Sequence, residues 1–93
     1  RIAWMALEHG VRFIPHGWNT AVGLAADLQL ASAFSGTDLV EYLSGSPYID
    51  DIVQGGWHLD EDGMLAIPDR PGLGLELDLD AVSHFAGETV RLD

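Results

Sequence analysis

The sequence predicts an α/β fold in which a parallel sheet carries helices on its outer side. The first observation is that the first half of the chain alternates between helical and strand patterns, in the order helix, strand, helix, strand. The second is that 47% of the 93 residues are hydrophobic, which is enough to bury a core. Two strands do not form a stable parallel sheet alone, so we expect the chain to be part of a longer protein.

The first helix and the first strand are predicted within the opening residues. Residues 1–9 have apolar side chains at helical spacing, and Gly10 suits the position that follows a helix. Residues 11–14 form a short run of β-branched and aromatic side chains between Gly10 and Pro15, which predicts a strand. His16 then follows at the carboxyl end of that strand.

The second helix and the second strand come after a loop at residues 17–19. Residues 21–34 are almost wholly apolar, which predicts a helix that is buried on several sides. We expect the side chain of Asn19 or Thr20 to cap this helix by accepting a backbone N–H bond. Residues 39–43 are apolar apart from one acid and predict the second strand.

The second half of the chain is predicted to be a less regular tail. In chain order its predicted elements are an irregular stretch at 44–56, a hairpin whose strands 57–59 and 64–67 flank a turn at 60–63, a loop at 68–74 and a strand at 75–77. A last helix is expected to end at Phe85 before Gly87, and Asp78 or Asp80 can cap its start.

The charge of the chain argues against several classes of partner. Fifteen acidic residues face four arginines and no lysine, which gives a net charge of -11. Nucleic acids and anionic membrane surfaces bind clustered cations, so neither is an expected partner. No apolar run approaches the roughly 20 residues of a membrane-spanning helix. The chain has no cysteine for a disulfide or a thiolate metal site, which fits a cytoplasmic location.

Two titratable residues in the first half are candidates for chemistry. His16 ends a predicted strand, where α/β sheets bind their ligands, and histidine changes charge near neutral pH. The neighbouring Trp18 offers an apolar wall and an N–H donor. Glu41 interrupts the apolar second strand, and a carboxyl group beside a histidine can divide acid and base roles with it. The alternatives are a loop histidine bonded to the backbone and a carboxylate that faces solvent.

A third candidate is a pattern that resembles a calcium-binding loop. His58, Asp60 and Asp62 alternate along the chain, Gly63 takes the sixth position, and Asp69 takes the twelfth. A calcium loop has Asp first and Glu last, and helices flank it, whereas the flanks here have strand patterns. A hairpin turn is therefore favoured.

The order of these motifs resembles the C-terminal end of the mandelate racemase and muconate lactonizing enzyme branch of the enolase superfamily. The matching segments are Phe13-Ile14-Pro15-His16-Gly17-Trp18, Leu39-Val40-Glu41-Tyr42 and Ile67-Pro68-Asp69-Arg70-Pro71-Gly72-Leu73-Gly74. The likeness extends from residue 2 to residue 85 and is greatest to the acid-sugar dehydratases of that branch. The fold that it implies is a TIM-type (β/α) barrel with a capping domain.

Within that fold, residues 1–43 are expected to be the last helix-strand-helix-strand part of the barrel. Residues 44–93 would form a tail that packs on the capping domain. The family's histidine at the end of the seventh strand, here His16, is the general base or acid. The glutamate of the eighth strand, here Glu41, donates a hydrogen bond to the substrate carboxylate or its enediolate.

The resemblance also implies a substrate, a cofactor and an assembly. Trp18 and Asn19 would lie close to a small carboxylate substrate, a sugar acid that loses its α-proton. Dehydration is the expected reaction, and racemisation, epimerisation or cycloisomerisation are alternatives, so the enzyme is a lyase or an isomerase. Mg²⁺ would be held by acids on earlier strands, so this chain has no metal ligands and is expected to be inactive alone. The complete enzyme is expected to be a homo-oligomer. If the chain is complete as given, the alternative is a non-catalytic acidic interaction domain.

Overall fold

The computed structural model describes residues 1–87, and within them it contains four helices. The helices are α1 (Ile2–Glu8), α2 (Ala21–Ser32), α3 (Pro47–Asp50) and α4 (Leu79–Phe85). Helices α1, α2 and α4 confirm three predicted helices, whereas α3 lies in the stretch that was predicted to be irregular. Helix α3 is a single turn that begins at a proline, the residue best suited to a first helical position. None of the helices in residues 1–87 has the length and apolar character to cross a membrane.

The two segments predicted as the strands of a parallel sheet are not β-strands in the described part of the chain. Residues 11–14 and 39–43 carry no ladder hydrogen bonds, and the β-pairing that exists consists of isolated bridges elsewhere. Among residues 1–87, the two predicted strands are therefore extended segments that do not pair into a sheet. The physical reason is that a parallel strand is stabilised by neighbours on both edges and both faces, and these two segments have only each other.

The two segments nevertheless lie side by side and run in the same direction. Arg12 Nε lies 3.7 Å from Asp38 Oδ1. Farther along both segments, His16 contacts Glu41. Because both contacts occur in ascending order along both segments, the segments are parallel, as the α/β pattern predicts. Side-chain contacts join them where backbone hydrogen bonds do not.

Helix α1 ends as its sequence predicts. Gly10 has a φ of +64°, in the left-handed region that glycine adopts without strain. Its N–H donates to the carbonyl oxygen of Leu7 at 3.1 Å, and the N–H of Val11 donates to that of Ala6 at 2.8 Å. This pair of bonds is a Schellman motif, which satisfies carbonyl groups in the last turn of the helix.

Side-chain caps were predicted for α2 and α4, and the cap of α4 is confirmed whereas that of α2 is wrong. The side chain of Asp78 accepts hydrogen bonds from the backbone N–H groups of Asp80 and Ala81, at 3.1 and 3.0 Å, and so caps α4. Thr20 occupies the cap position of α2, but its side chain makes no capping bond. Asn19 does not cap α2 either, because its side chain lies over the helix farther along.

The core is built on one face of α2. The buried residues of this helix are Ala21, Leu24, Ala25, Leu28 and Ala31. Val22 and Leu30 are exposed, so the prediction that α2 is buried on several sides does not hold among residues 1–87. Leu24 and Leu28 pack with Ile49 of α3. The core therefore draws residues from both sides of the predicted boundary at position 43.

The predicted hairpin is confirmed as a tight turn with a single bridge, between Leu59 and Leu65. Asp60 Oδ1 accepts the backbone N–H groups of Asp62 and Met64, at 2.9 and 2.8 Å. The carboxylate thus closes the turn by itself, a common use of aspartate in loops. The segment that resembles a calcium loop is a hairpin turn.

The predicted strand at 75–77 is also reduced to one bridge. Val53 pairs with Leu77 in the antiparallel sense. The N–H of Gln54 donates to the carbonyl oxygen of Glu76 at 2.9 Å. This short pairing fastens the chain before α4 to the segment that follows α3.

Candidate functional site

The structure brings together the two residues predicted to be catalytic. His16 Nδ1 and Glu41 Oε2 are in direct contact, at the ends of the two parallel segments. Since a carboxylate oxygen accepts, Nδ1–H is the donor, and Nε2 is the ring nitrogen left for a ligand. The two side chains are 71% and 52% exposed, so their interaction contributes little to stability while the pair stays accessible.

The loop that carries His16 is held close to α2. Pro15 is buried, and Gly17 comes so near the helix that a Cβ added to it would lie 2.6 Å from Asp27 Oδ2. Real Cβ atoms do not approach an oxygen that closely. The short distance shows that the loop turns onto the helix immediately after His16, with the side-chain ends of Asn19 and Asp27 closest to Gly17.

Asn19 lies against the same helix two residues later. A Cβ added to Gly23 of α2 would lie 2.8 Å from Asn19 Cγ, so the side chain of Asn19 covers the bare backbone of Gly23. Residues 17–19 are thereby pressed onto the first turns of α2. Trp18 lies between these two contact points, follows His16 by two residues, and is 78% exposed.

A cleft of about 560 Å³ begins where the two parallel segments end. Its lining residues are Trp18, Asn19, Thr20, Val22, Gly23, Leu43, Ser46 and Tyr48. Trp18 follows His16 by two residues, and Leu43 follows Glu41 by two residues. His16 and Glu41 are not lining residues themselves. The cleft is the continuation of their two segments beyond the contact, and it includes both residues predicted to bind substrate.

A hydrogen-bonded clip fixes the loop after Glu41. The hydroxyl of Tyr42 donates to Asp50 Oδ1 at 2.6 Å, and the N–H of Gly45 donates to Asp50 Oδ2 at 3.1 Å. Burial, the hydrogen bond to Asp50 and the negative charge of Asp50 raise the pKa of Tyr42 to about 12. Tyr42 therefore stays protonated at neutral pH and serves as a donor.

In the loop after Glu41, four residues of the site were not predicted from the sequence, although the position of this loop is a signal that points to them. Leu43, Ser46 and Tyr48 line the cleft, and Asp50 holds its loop. Loops that follow the carboxyl ends of strands are where α/β proteins place their ligand contacts. Residues 44–50 follow such an end, although their sequence has no motif.

The described residues do not form a metal site. In residues 1–87, no three side chains of His, Asp or Glu lie close enough to hold one ion together. The His16–Glu41 pair supplies two such groups, and the carboxylate of Asp60 is used in the hairpin turn.

Comparison with known proteins identifies relatives for almost the whole chain. Residues 1–82 match the family described as "Enolase C-terminal domain-like". The chain is 33% identical, over 91% of its length, to a D-galactarolactone cycloisomerase of Agrobacterium fabrum. It is 34% identical, over 99% of its length, to a D-galactonate dehydratase family member of Streptomyces bingchenggensis. It is 36% identical, over 97% of its length, to a D-xylonate dehydratase of Haloferax volcanii.

The relatives are much longer than this chain. The matched region is 25%, 23% and 22% of the three proteins, so the chain spans about a quarter of their length.

Proposed function

This chain belongs to the enolase C-terminal domain-like family, and we propose that it forms the C-terminal part of an enzyme that removes the α-proton of a sugar acid. The membership confirms the resemblance that the motifs predict, and it implies a portion of an α/β barrel. The chain is related to acid-sugar dehydratases and to a cycloisomerase. The observation that carries the proposal is the contact between His16 and Glu41 at the end of parallel segments, beside an open cleft.

His16 has the arrangement that a general base needs. Its Nδ1–H is held by Oε2 of Glu41, which orients the ring and leaves Nε2 to take a proton. When Nε2 removes the hydrogen on the α-carbon, the electron pair of the C–H bond passes into the carboxylate and gives an enediolate. We assign this role to His16 in the proposed reaction.

Dehydration completes the proposed sequence. The electrons of the enediolate form a carbon–carbon double bond while the bond to the β-hydroxyl breaks. The proton on His16 Nε2 passes to the departing oxygen, so water leaves and the histidine returns to its starting state. The enol that remains rearranges to a 2-keto-3-deoxy acid. One histidine acts first as base and then as acid, and atoms and charge balance.

Glu41, Trp18 and Asn19 would hold the substrate during these steps. Glu41 uses Oε2 for His16, which leaves Oε1 for the substrate. When it carries a proton, this carboxyl group donates a hydrogen bond to the substrate carboxylate. Trp18 and Asn19 line the cleft and offer an apolar face and an amide.

Enzymes of the enolase superfamily generally use Mg²⁺, and the residues described here do not fit a site for it. We propose that the complete enzyme binds Mg²⁺ through residues outside this chain. None of the steps assigned to His16 and Glu41 passes through the ion.

The relative named as a cycloisomerase supports a second candidate reaction. Cycloisomerisation and racemisation begin with the same removal of an α-proton, so the role of His16 is common to all of them. They differ in the fate of the enediolate. In racemisation it is protonated again, and in a ring-opening cycloisomerisation it expels the ring oxygen on the β-carbon as a carboxylate that stays on the product, so neither reaction releases water. Measuring proton exchange and water loss separately distinguishes the two outcomes.

The test uses the full-length protein with Mg²⁺ in D₂O and three acids, D-galactonate, D-xylonate and glycerate. We expect deuterium to be incorporated at the α-carbon or a 2-keto acid to be released. NMR measures both signals. Since general base catalysis contributes about 10²–10⁴-fold, His16→Asn should slow both signals by that factor. Glu41→Gln should lower kcat more than it raises KM.

His58→Asn is a matched control for His16→Asn. His58 is also exposed and also makes one contact through its ring, from Nε2 to the carbonyl oxygen of Gly55 at 2.6 Å, outside the cleft. Its variant should keep the wild-type rate. Undiminished exchange in His16→Asn would remove His16 from the role of base. If the wild-type protein exchanges no proton in any of the three acids, the enzymatic proposal fails and the interaction-domain alternative gains support.

A further inference from the structure

The cleft extends beyond the groups that the proposed reaction uses. A volume of about 560 Å³ is within the roughly 300–1,000 Å³ range of small-molecule sites. His16 and Glu41 lie at the end of the parallel segments, and Ser46 and Tyr48 of the tail line the cleft that follows. A substrate whose carboxylate is near Glu41 would therefore extend toward these two residues.

Tyr48 is held as a rigid wall. Its ring packs edge-on against Phe85 of α4, with ring centres 5.2 Å apart, while 52% of the residue remains exposed. The next residue, Ile49, is 2% exposed and anchors α3 in the core. An aromatic ring that is fixed on one side and open on the other presents an apolar face and a hydroxyl group to a ligand.

Ser46 adds a hydroxyl group to the same wall. It occupies the cap position of α3, yet its side chain makes no capping hydrogen bond. The backbone carbonyl of Ser46 accepts the N–H groups of Ile49 and Asp50, so the turn is held without the side chain. The hydroxyl group is thus available to a ligand in the cleft.

We propose that Tyr48 and Ser46 bind the hydroxylated end of the sugar acid, the end remote from its carboxylate, and so select for the length of the carbon chain. This inference rests on the proposed function. The C–H groups of an extended polyol pack on the ring of Tyr48, and its hydroxyl groups bond to the two side-chain hydroxyls. A three-carbon acid has no hydroxylated carbons beyond the third to place against these two residues.

The test compares kcat/KM for D-galactonate with that for glycerate in the full-length protein. Tyr48→Ala should lower the ratio of the two values about tenfold, through a higher KM for the longer acid. Ser46→Ala should lower the same ratio by a smaller factor, and it decides the question if Tyr48→Ala fails to fold. Leu79→Ala is the control, because Leu79 is 70% exposed and lies outside this cleft, so its ratio should stay at the wild-type value.

The outcomes separate this inference from the proposed function. The ratio of the two kcat/KM values could stay unchanged in both variants while α-proton exchange persists. That result would overturn the role of Tyr48 and Ser46 and leave His16 as the base. An equal fall for both acids would also overturn it, since the effect would not depend on chain length. Absence of α-proton exchange from both acids in the wild-type protein would overturn the proposed function itself.

Discussion

Replacing Gly23 by alanine should change the stability of the protein through two opposing effects, a gain in helix propensity and a loss from steric overlap. In the interior of a helix, alanine is favoured over glycine by about 1 kcal/mol. Here, the added Cβ would lie 2.8 Å from Asn19 Cγ and closer still to Asn19 Cβ. Relieving such an overlap costs about 1–3 kcal/mol in packed sites. Gly23→Ala should therefore lower the free energy of unfolding by about 0–2 kcal/mol, although an isolated helix would gain stability from the same change.

The assay is denaturant unfolding of the full-length protein, with a double-mutant cycle. Asn19→Gly removes the side chain that Gly23→Ala would displace, so the double variant should regain most of the lost stability. The coupling between the two positions should be about 1–3 kcal/mol, as for other residues in contact. Ala26→Gly measures the difference in helix propensity alone, because Ala26 is exposed on the same helix. This variant should lower the free energy of unfolding by about 1 kcal/mol.

One result would refute this reasoning. If Gly23→Ala alone stabilises the protein by about 1 kcal/mol, the full helix term, the side chain of Asn19 does not lie on α2. The loop that carries Trp18 would then not be pressed onto the helix, and the description of that wall of the cleft would be wrong.

Two further predictions concern bonds that hold the tail. Because the pKa of Tyr42 is raised to about 12 from an ordinary value near 10, the unfolded chain loses this proton first. The free energy of unfolding should fall as pH rises between about 10 and 12, and the fall should be shallower in Tyr42→Phe. Thermal unfolding at several pH values measures this dependence. Equal slopes of stability against pH in the two proteins would contradict the bond to Asp50. Asp78→Ala should lower the free energy of unfolding by about 1 kcal/mol through the lost cap, whereas Thr20→Ala should cost less, because Thr20 makes no capping bond. Equal losses in denaturant unfolding would contradict the difference between these caps.

The parts of the fold that the sequence predicts correctly are those whose bonds close within a few residues. Helix α1 ends at Gly10 through bonds from the N–H of Gly10 to a carbonyl three positions earlier and from the N–H of Val11 to a carbonyl five positions earlier. Asp78 caps α4 through bonds two and three positions ahead. Asp60 closes its turn in the same local way. Such features depend on the identity of one side chain and its immediate neighbours, so a pattern in the sequence is sufficient to predict them.

The features that were mispredicted or missed depend on distant partners. The segments 11–14 and 39–43 have strand composition, but ladder bonds also require neighbouring strands, which no local pattern supplies. The clip between Tyr42 and Asp50 joins residues eight positions apart across a turn of unremarkable sequence. The wall formed by Tyr48 depends on its packing against Phe85, which is 37 positions away. His16 and Glu41 were predicted as candidates because each ends or interrupts an apolar segment, and their side chains are in contact.

The contact between His16 and Glu41 persists without a sheet because both segments rest on α2 and its C-terminal extension. On one side, Phe13 packs against Phe34, just beyond α2, with ring centres 6.0 Å apart. On the other side, the side chains of Val40 and Tyr42 pack against the cluster formed by α2 and α3.

Glu41 lies between these two packed residues and is exposed. Alternation along an extended segment then directs its side chain away from the core, toward the neighbouring segment that carries His16. Side-chain packing on one helix thus sets the register of His16 relative to Glu41, a task that ladder hydrogen bonds perform in a complete parallel sheet. It follows that substitutions on the buried face of α2 should change the position of His16 relative to Glu41 as well as stability.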